Sequence, residues 1–149
     1  MSWSIVPFGK YKGKTLPEII VRDLDWFFWA VPNLYGRLAH EAQDLARKAR
    51  AVKIPKKQGK KSAVEYRYEF GDRFSGFAFV EPDSFLNSRW ATRLPYLDLC
   101  WPLRRKKYDK RAARIMIRVF RRHYFGKNKR LTKMRCERFF NNDKNFLHR

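Results

Sequence analysis

Val64-Glu65-Tyr66-Arg67-Tyr68-Glu69-Phe70 is followed by Gly71-Asp72-Arg73-Phe74-Ser75-Gly76 and then by Phe77-Ala78-Phe79-Val80-Glu81. The first run alternates strictly. Val64, Tyr66, Tyr68 and Phe70 fall on one side of an extended chain, and Glu65, Arg67 and Glu69 on the other, because successive strand side chains point to opposite faces. A Gly/Asp/Ser turn separates this run from a second aromatic one. The pattern predicts a β-hairpin whose aromatic side chains pack on helices. The flanking sequence reads mainly as helix, so the hairpin sets the class. We expect an α+β fold, mainly helical, with a central aromatic β-hairpin and a basic C-terminal helical pair.

Downstream, Trp90, Leu94, Tyr96, Leu97, Leu99 and Trp101 are expected to join the hairpin to the helices and fill the core. After Pro102, Arg104-Arg105-Lys106-Lys107 leads into Asp109-Lys110-Arg111-Ala112-Ala113-Arg114-Ile115-Met116-Ile117-Arg118-Val119-Phe120-Arg121-Arg122-His123-Tyr124. Wound at about 100° per residue, the apolar residues from Ala112 to Tyr124 share one side. Lys110, Arg111, Arg114, Arg118, Arg121 and Arg122 share the other, a single-sign rail on a stretch about 24 Å long. Asp109 stands as N-cap, and Gly126 follows as a C′ residue. Lys127-Asn128-Lys129-Arg130 forms a basic turn. Thr132 caps a second short helix, with Lys133 at its start and Met134, Cys136, Phe139 and Phe140 facing inward. Helix, turn and helix suggest docking on a duplex in helix-turn-helix fashion, although the turn is long. The tail from Asn141 is polar and is expected to fray.

Upstream, residues 54–62 read as a lysine-rich linker or loop. Asn33 is placed to cap a helix from Leu34 to Val52, with Leu38, Ala42, Leu45 and Ala49 inward and Arg37, Glu41, Asp44 and Lys48 outward. His40 lies on the polar side and reads as solvated. Further back, Gly9 and Gly13 bracket a tight turn in which Lys10, Lys12 and Lys14 alternate and would share a hairpin face. Pro17 opens a short helix. Asp25 is expected to cap Trp26-Phe27-Phe28-Trp29-Ala30-Val31, which Pro32 ends.

The run Phe8-Gly9-Lys10-Tyr11-Lys12-Gly13-Lys14-Thr15-Leu16-Pro17-Glu18-Ile19, with Asp25-Trp26-Phe27-Phe28-Trp29 after it, resembles a small domain family. That family occurs at the C-terminus of exodeoxyribonuclease X-type exonucleases and as short stand-alone bacterial and phage proteins. Phe8, Gly9, Lys10, Gly13 and Lys14 match its turn and Trp29 its late aromatic, whereas Trp26 and Phe27 replace its usual Tyr-Leu. The match spans about residues 5–50. It implies association with DNA-processing proteins and carries no catalytic residues. A boundary near residue 53 follows: a small Gly-Lys-turn and helical unit over 1–53, and the hairpin plus basic helices over 54–149, packed as one unit with the first.

The 149 residues carry a net charge of +21, are 44% hydrophobic and 17% aromatic, and have a pI of about 10.5. Such composition builds a core and favours a polyanionic partner. The charge is uneven. Residues 103–149 hold 18 Lys/Arg against three Asp/Glu, which leaves +15.

Cys100 and Cys136 lack metal-ligand spacing and read as ordinary thiols of a reducing compartment. No apolar run spans a bilayer and the start does not read as a signal peptide, so we expect a cytoplasmic protein without membrane contact. No cofactor is indicated. Pro82-Asp83 invites comparison with the Pro-Asp…Asp/Glu-x-Lys nuclease core, but no Asp/Glu-x-Lys follows. His123 and His148 lack an acid or nucleophile partner at a meaningful spacing. Gly76-Phe77-Ala78-Phe79-Val80 matches part of an RNA-recognition motif's RNP1 strand. The required RNP2 strand would fall on the helix near His40, so Phe77 and Phe79 are expected to pack rather than stack on bases.

The functional expectation is a non-catalytic nucleic-acid-binding protein, DNA before RNA, contacting phosphates with little sequence preference. Its contact residues would be Lys10, Lys12, Lys14, Arg104, Arg105, Lys106, Lys107, Lys110, Arg111, Arg114, Arg118, Arg121, Arg122, Lys127, Lys129, Arg130 and Lys133. The alternative is a protein-interaction module or inhibitor acting on a nuclease or another DNA-processing or defence enzyme; a third, minor reading is a nuclease with an unrecognised site.

Overall fold

The N-terminal turn does not build a flat hairpin. In the computed structural model, which describes residues 2–70, 72–86, 90–105, 109–127 and 130–147, Gly9–Tyr11 coils into a 3-10 turn. Val6 and Lys14 close the loop around it, with Val6 N donating to Lys14 O at 2.8 Å and Gly13 N to Val6 O at 2.9 Å. Helix α1 (Leu16–Ile20) starts at Thr15, which forms a capping box with Glu18. Helix α2 (Leu24–Ala30) is capped by Asp23 and not by Asp25: the Asp23 carboxylate accepts from Trp26 N, and Asp25 moves into the first turn.

Helix α3 spans Gly36–Ala49, shorter at both ends than the expected helix from Leu34 to Val52. Its N-cap is Tyr35, because the Asn33 amide is engaged elsewhere, donating to Trp29 O at 2.7 Å. Glu41, expected in solvent, is buried. It accepts hydrogen bonds from the backbone N and the hydroxyl of Ser4, which brings the N-terminal segment over it.

Strands β1 (Ala63–Glu69), β2 (Arg73–Val80) and β3 (Thr92–Leu94) form an antiparallel sheet in the order β2-β1-β3. β2 begins three residues earlier than Gly76, and Gly76 stands inside it, at φ 137°, where the register shifts opposite Arg67 and Tyr68. That bulge meets the helix behind it: a Cβ on Gly76 would lie 3.8 Å from Ile115 and Val119 side-chain carbons. Phe70 leaves the aromatic face at φ 51° and is 82% exposed. Val64, Tyr66 and Tyr68 stay on that face beside Phe79, Phe77 and Phe74.

The polar face holds the larger departure from expectation. Glu65 is 0% exposed. Its carboxylate takes Arg67 Nε at 2.8 Å and Arg93 Nε at 2.9 Å. Arg93 lies directly across the ladder on β3 and also donates to the carbonyls of Pro82, Ser84 and Phe85. The 82–85 loop is thereby tied to the sheet through the same guanidinium that neutralises Glu65.

Helix α4 (Trp101–Arg105) stacks Trp101 on Tyr66, with ring centroids 5.1 Å apart. Helix α5 (Lys110–Tyr124) lies against β2 and touches α2 and α4. Helix α6 (Lys133–Asn141) packs on α1. Within α6, Cys136 and Phe140 are buried and Phe139 partly so, while Met134 faces solvent, contrary to expectation. The tail is also more ordered than its polarity suggests. Phe146 is buried on Phe140, and residues 51–53 exchange backbone hydrogen bonds with Leu97 on one side and with 145–147 on the other.

Burial on its own would raise the Glu65 carboxyl, but hydrogen bonds from Arg67 and Arg93 outweigh it and hold the group below the usual glutamate range. A depressed folded-state value contributes stability above the unfolded value, about 4.3, and loses it as pH falls through the folded one. Urea midpoints measured against pH should therefore drop on the acid side in the wild type. In Glu65→Gln that component should be missing. Glu65→Ala should lose about 3–5 kcal/mol at neutral pH, because two guanidiniums are left without their carboxylate.

Candidate functional site

Helix α5 forms as its pattern dictates. Asp109 caps it by accepting from Ala112 N at 3.0 Å, and Gly126 turns the chain away at φ 89°. Ala112, Ala113, Met116, Ile117 and Phe120 are buried, and Ile115 and Val119 are half-buried. Lys110, Arg111, Arg114, Arg118 and Arg122 are exposed, and Arg121 is half-buried. The rail is thus in place, but its members do not share one environment. Arg111 turns to the sheet and donates to Phe74 O at 2.8 Å.

Arg114, Arg118 and Arg121 line a groove of about 350 Å³ together with Ile117 and one arginine from elsewhere, Arg22. Arg22 sits in the turn between α1 and α2. Its guanidinium donates to Glu18 O and Leu131 O, each at 2.8 Å, so its position is fixed by backbone and not by an acid. No carboxylate lines the groove among the described residues. Burial, and then the Arg22 charge, lower the pKa of Arg121 from the usual arginine value. Of the four guanidiniums, Arg22 is held by carbonyls; an oxyanion placed among such groups could neutralise them and accept their N–H groups.

Arg22 and Arg114 also wall a larger, adjoining cavity of about 660 Å³. Lys10 and Lys110 stand at it, and Leu24, Trp26 and Trp29 supply its apolar surface. Trp29 is 43% exposed. Tyr11, Trp26 and Trp29 form a row, edge-on at 5.0 Å and tilted at 6.1 Å. Two acids belong to the same cavity. Asp23 is saturated: it accepts from the Tyr11 hydroxyl and from Trp26 N, and pairs with Lys10 Nζ at 3.1 Å. Burial opposes its charge, yet these hydrogen bonds hold its carboxyl below the usual range. Asp25 is 9% exposed, and its Oδ1 has no hydrogen-bond partner. Burial, with the Asp23 charge adding, raises its carboxyl.

The other residues read from sequence scatter. Lys12 is exposed, Lys14 lies 3.9 Å from Glu18 and Lys10 lies 3.1 Å from Asp23, so the three lysines differ in their surroundings. Arg104 is engaged by Asp98, at 2.9 and 3.1 Å, and stacks over Trp101. Lys127, Arg130 and Lys133 are exposed beyond the end of α5, where Arg135 braces the turn through the Arg130 and Phe125 carbonyls. Lys106, Lys107 and Lys129, and the side chain of Arg105, lie outside the described residues. Phe77 and Phe79 are buried against His123, as packing residues should be.

Sequence reading missed Arg22, because a lone arginine between two short helices carries no periodicity. It read the aromatic run of α2 without seeing that Trp26 and Trp29, three apart, would face the rail. Among the described residues no cluster of His, Cys, Asp and Glu could hold a metal ion, and no helix is long and apolar enough to cross a membrane. No protein-family model, curated protein or solved structure matches the chain.

A carboxyl raised on folding destabilises the native state above its unfolded value of about 3.9, and the penalty fades as pH falls through the folded value. Asp25→Asn should accordingly raise Tm at neutral pH. In thermal melts across a pH series, the gain should shrink toward zero near pH 4.

Proposed function

We propose that this protein binds nucleic acid by its phosphates, with little sequence preference and without doing chemistry on it. The observation that carries the reading is the groove in which Arg114, Arg118 and Arg121 of α5 converge with Arg22 and meet no acid among the described residues. The +15 charge of residues 103–149 would add longer-range attraction. DNA is favoured over RNA because the N-terminal stretch resembles a domain attached to DNA exonucleases. A protein-interaction role is the second reading. Its support is the exposed apolar surface of the N-terminal third, where Tyr35 is 88% exposed and Ile5, Phe8 and Trp29 also meet solvent.

Fluorescence anisotropy of labelled DNA across a salt series tests the first reading. Log affinity should fall with log salt at a slope of about −0.9 per phosphate contact on duplex and about −0.7 on single strands. Arg114→Gln, Arg118→Gln and Arg121→Gln should each weaken binding and flatten the slope by about one contact. Arg47→Gln, on α3 and paired with Asp44, should change neither. Unaltered slopes in folded arginine variants would refute phosphate binding here. Capture of a protein partner that survives nuclease treatment would then favour the second reading.

A further inference from the structure

The cavity beside the arginine groove differs from it in chemistry. The two share Arg22 and Arg114, but the groove has no acid and no aromatic among the described residues, whereas the cavity adds two tryptophans, a leucine, two lysines and two aspartates. A phosphate would be drawn to the shared wall of Arg22 and Arg114, the two cations common to groove and cavity. A flat, partly apolar group with an N–H donor suits the tryptophans, stacked on indole beside Asp25, whose Oδ1 has no hydrogen-bond partner. Its size, about 660 Å³, falls in the range of small-molecule sites, about 300–1,000 Å³. Joined to a phosphate site, such a group is a nucleobase.

We propose that the Trp26–Trp29 cavity takes an unpaired base while the neighbouring arginines hold the phosphates next to it, so that the substrate class is single-stranded nucleic acid or a duplex with unpaired bases. This rests on the reading of the arginine groove as a phosphate site. The bases of an intact duplex are already paired and stacked, and cannot enter a walled cavity without being extruded. The geometry along α5 fits a strand. Arg114 to Arg121 covers about 10 Å of helix axis at about 1.5 Å per residue, against about 3.4 Å per nucleotide of a stacked strand. Two or three successive phosphates can therefore lie along the rail with a base turned into the cavity at the Arg114 end. The row of Tyr11, Trp26 and Trp29 holds the indoles in place. Lys10, tied to Asp23, and Lys110 also line the cavity. Stacking on an aromatic platform is tolerant of sequence, because every base has a π face.

The test uses the full chain and four probes: a short single-stranded DNA, the same strand with abasic sites throughout, an intact duplex, and that duplex with one unpaired extrahelical base. Anisotropy at fixed salt should show the single strand bound about 5- to 150-fold more tightly than its abasic counterpart, the ratio for one stacked base. The bulged duplex should exceed the intact one. Trp29→Ala, at a half-exposed position, should erase both preferences and leave the salt slope unchanged, whereas Trp29→Phe should retain most of each. Equal affinity for the normal and abasic strands, or preferences that survive Trp29→Ala, would overturn the base site. If the arginine variants still flatten the slope in that case, the phosphate reading stands and only this inference falls. If no probe binds, or the arginine variants leave the slope unaltered, both fall.

Discussion

Positive charges brought together without counter-charge must be held by something other than attraction. In α5 that work falls to the opposite face of the same helix. Ala112, Met116 and Phe120 are fully buried, and residues the size of Met and Phe each contribute about 1.5–3 kcal/mol on burial. That burial fixes the axis and rotation of α5, so the guanidiniums have no route apart except through their own flexible stems. Arg22 is fixed independently, by two carbonyls from different parts of the chain. The electrostatic strain of the groove is thus sustained by apolar packing and backbone hydrogen bonds. Neither depends on a counter-ion.

The arrangement also separates two kinds of arginine. Arg67, Arg93 and Arg104 are spent on buried carboxylates and shape the sheet and its loops. Arg114 and Arg118 are exposed, Arg121 is half-buried, and the three converge without an acid lining their groove among the described residues. Composition alone cannot tell these populations apart. What distinguishes them is which acids the fold brings near, and Glu65 and Asp98 were placed by strand pairing and by the turn before α4, not by local sequence.

The legible parts of the fold are those in which a residue's role depends on near neighbours. The α5 stripe, its Asp109 cap, the Thr132 cap of α6 and the β1–β2 pairing all follow from local period and capping chemistry. β3 was invisible because three residues, Thr92, Arg93 and Leu94, are too few to show a period, and Pro95 follows them. The burial of Glu65 and Glu41 depended on partners 28 and 37 residues away. The cap of α2 shifted to Asp23 because two aspartates two apart compete and helix phase decides between them. The candidate site divides the same way: the rail was readable, while Arg22 and the use of Trp26 and Trp29 exist only in three dimensions.

The pairing of residues 51–53 on both sides has a consequence for the order in which the chain can finish folding. Val52 closes against Leu97 and against Phe146, and Phe146 is made 94 residues after Val52 (146 − 52). At about 5–20 residues per second of synthesis, that gap lasts roughly 5–20 s. Leu97 is made midway and can pair with Val52, but throughout the gap Lys53 N and Ala51 O lack their partners Asn145 O and Leu147 N. For this protein the ribosome therefore sets a waiting time, during which a strongly basic nascent chain lacks its final stitch.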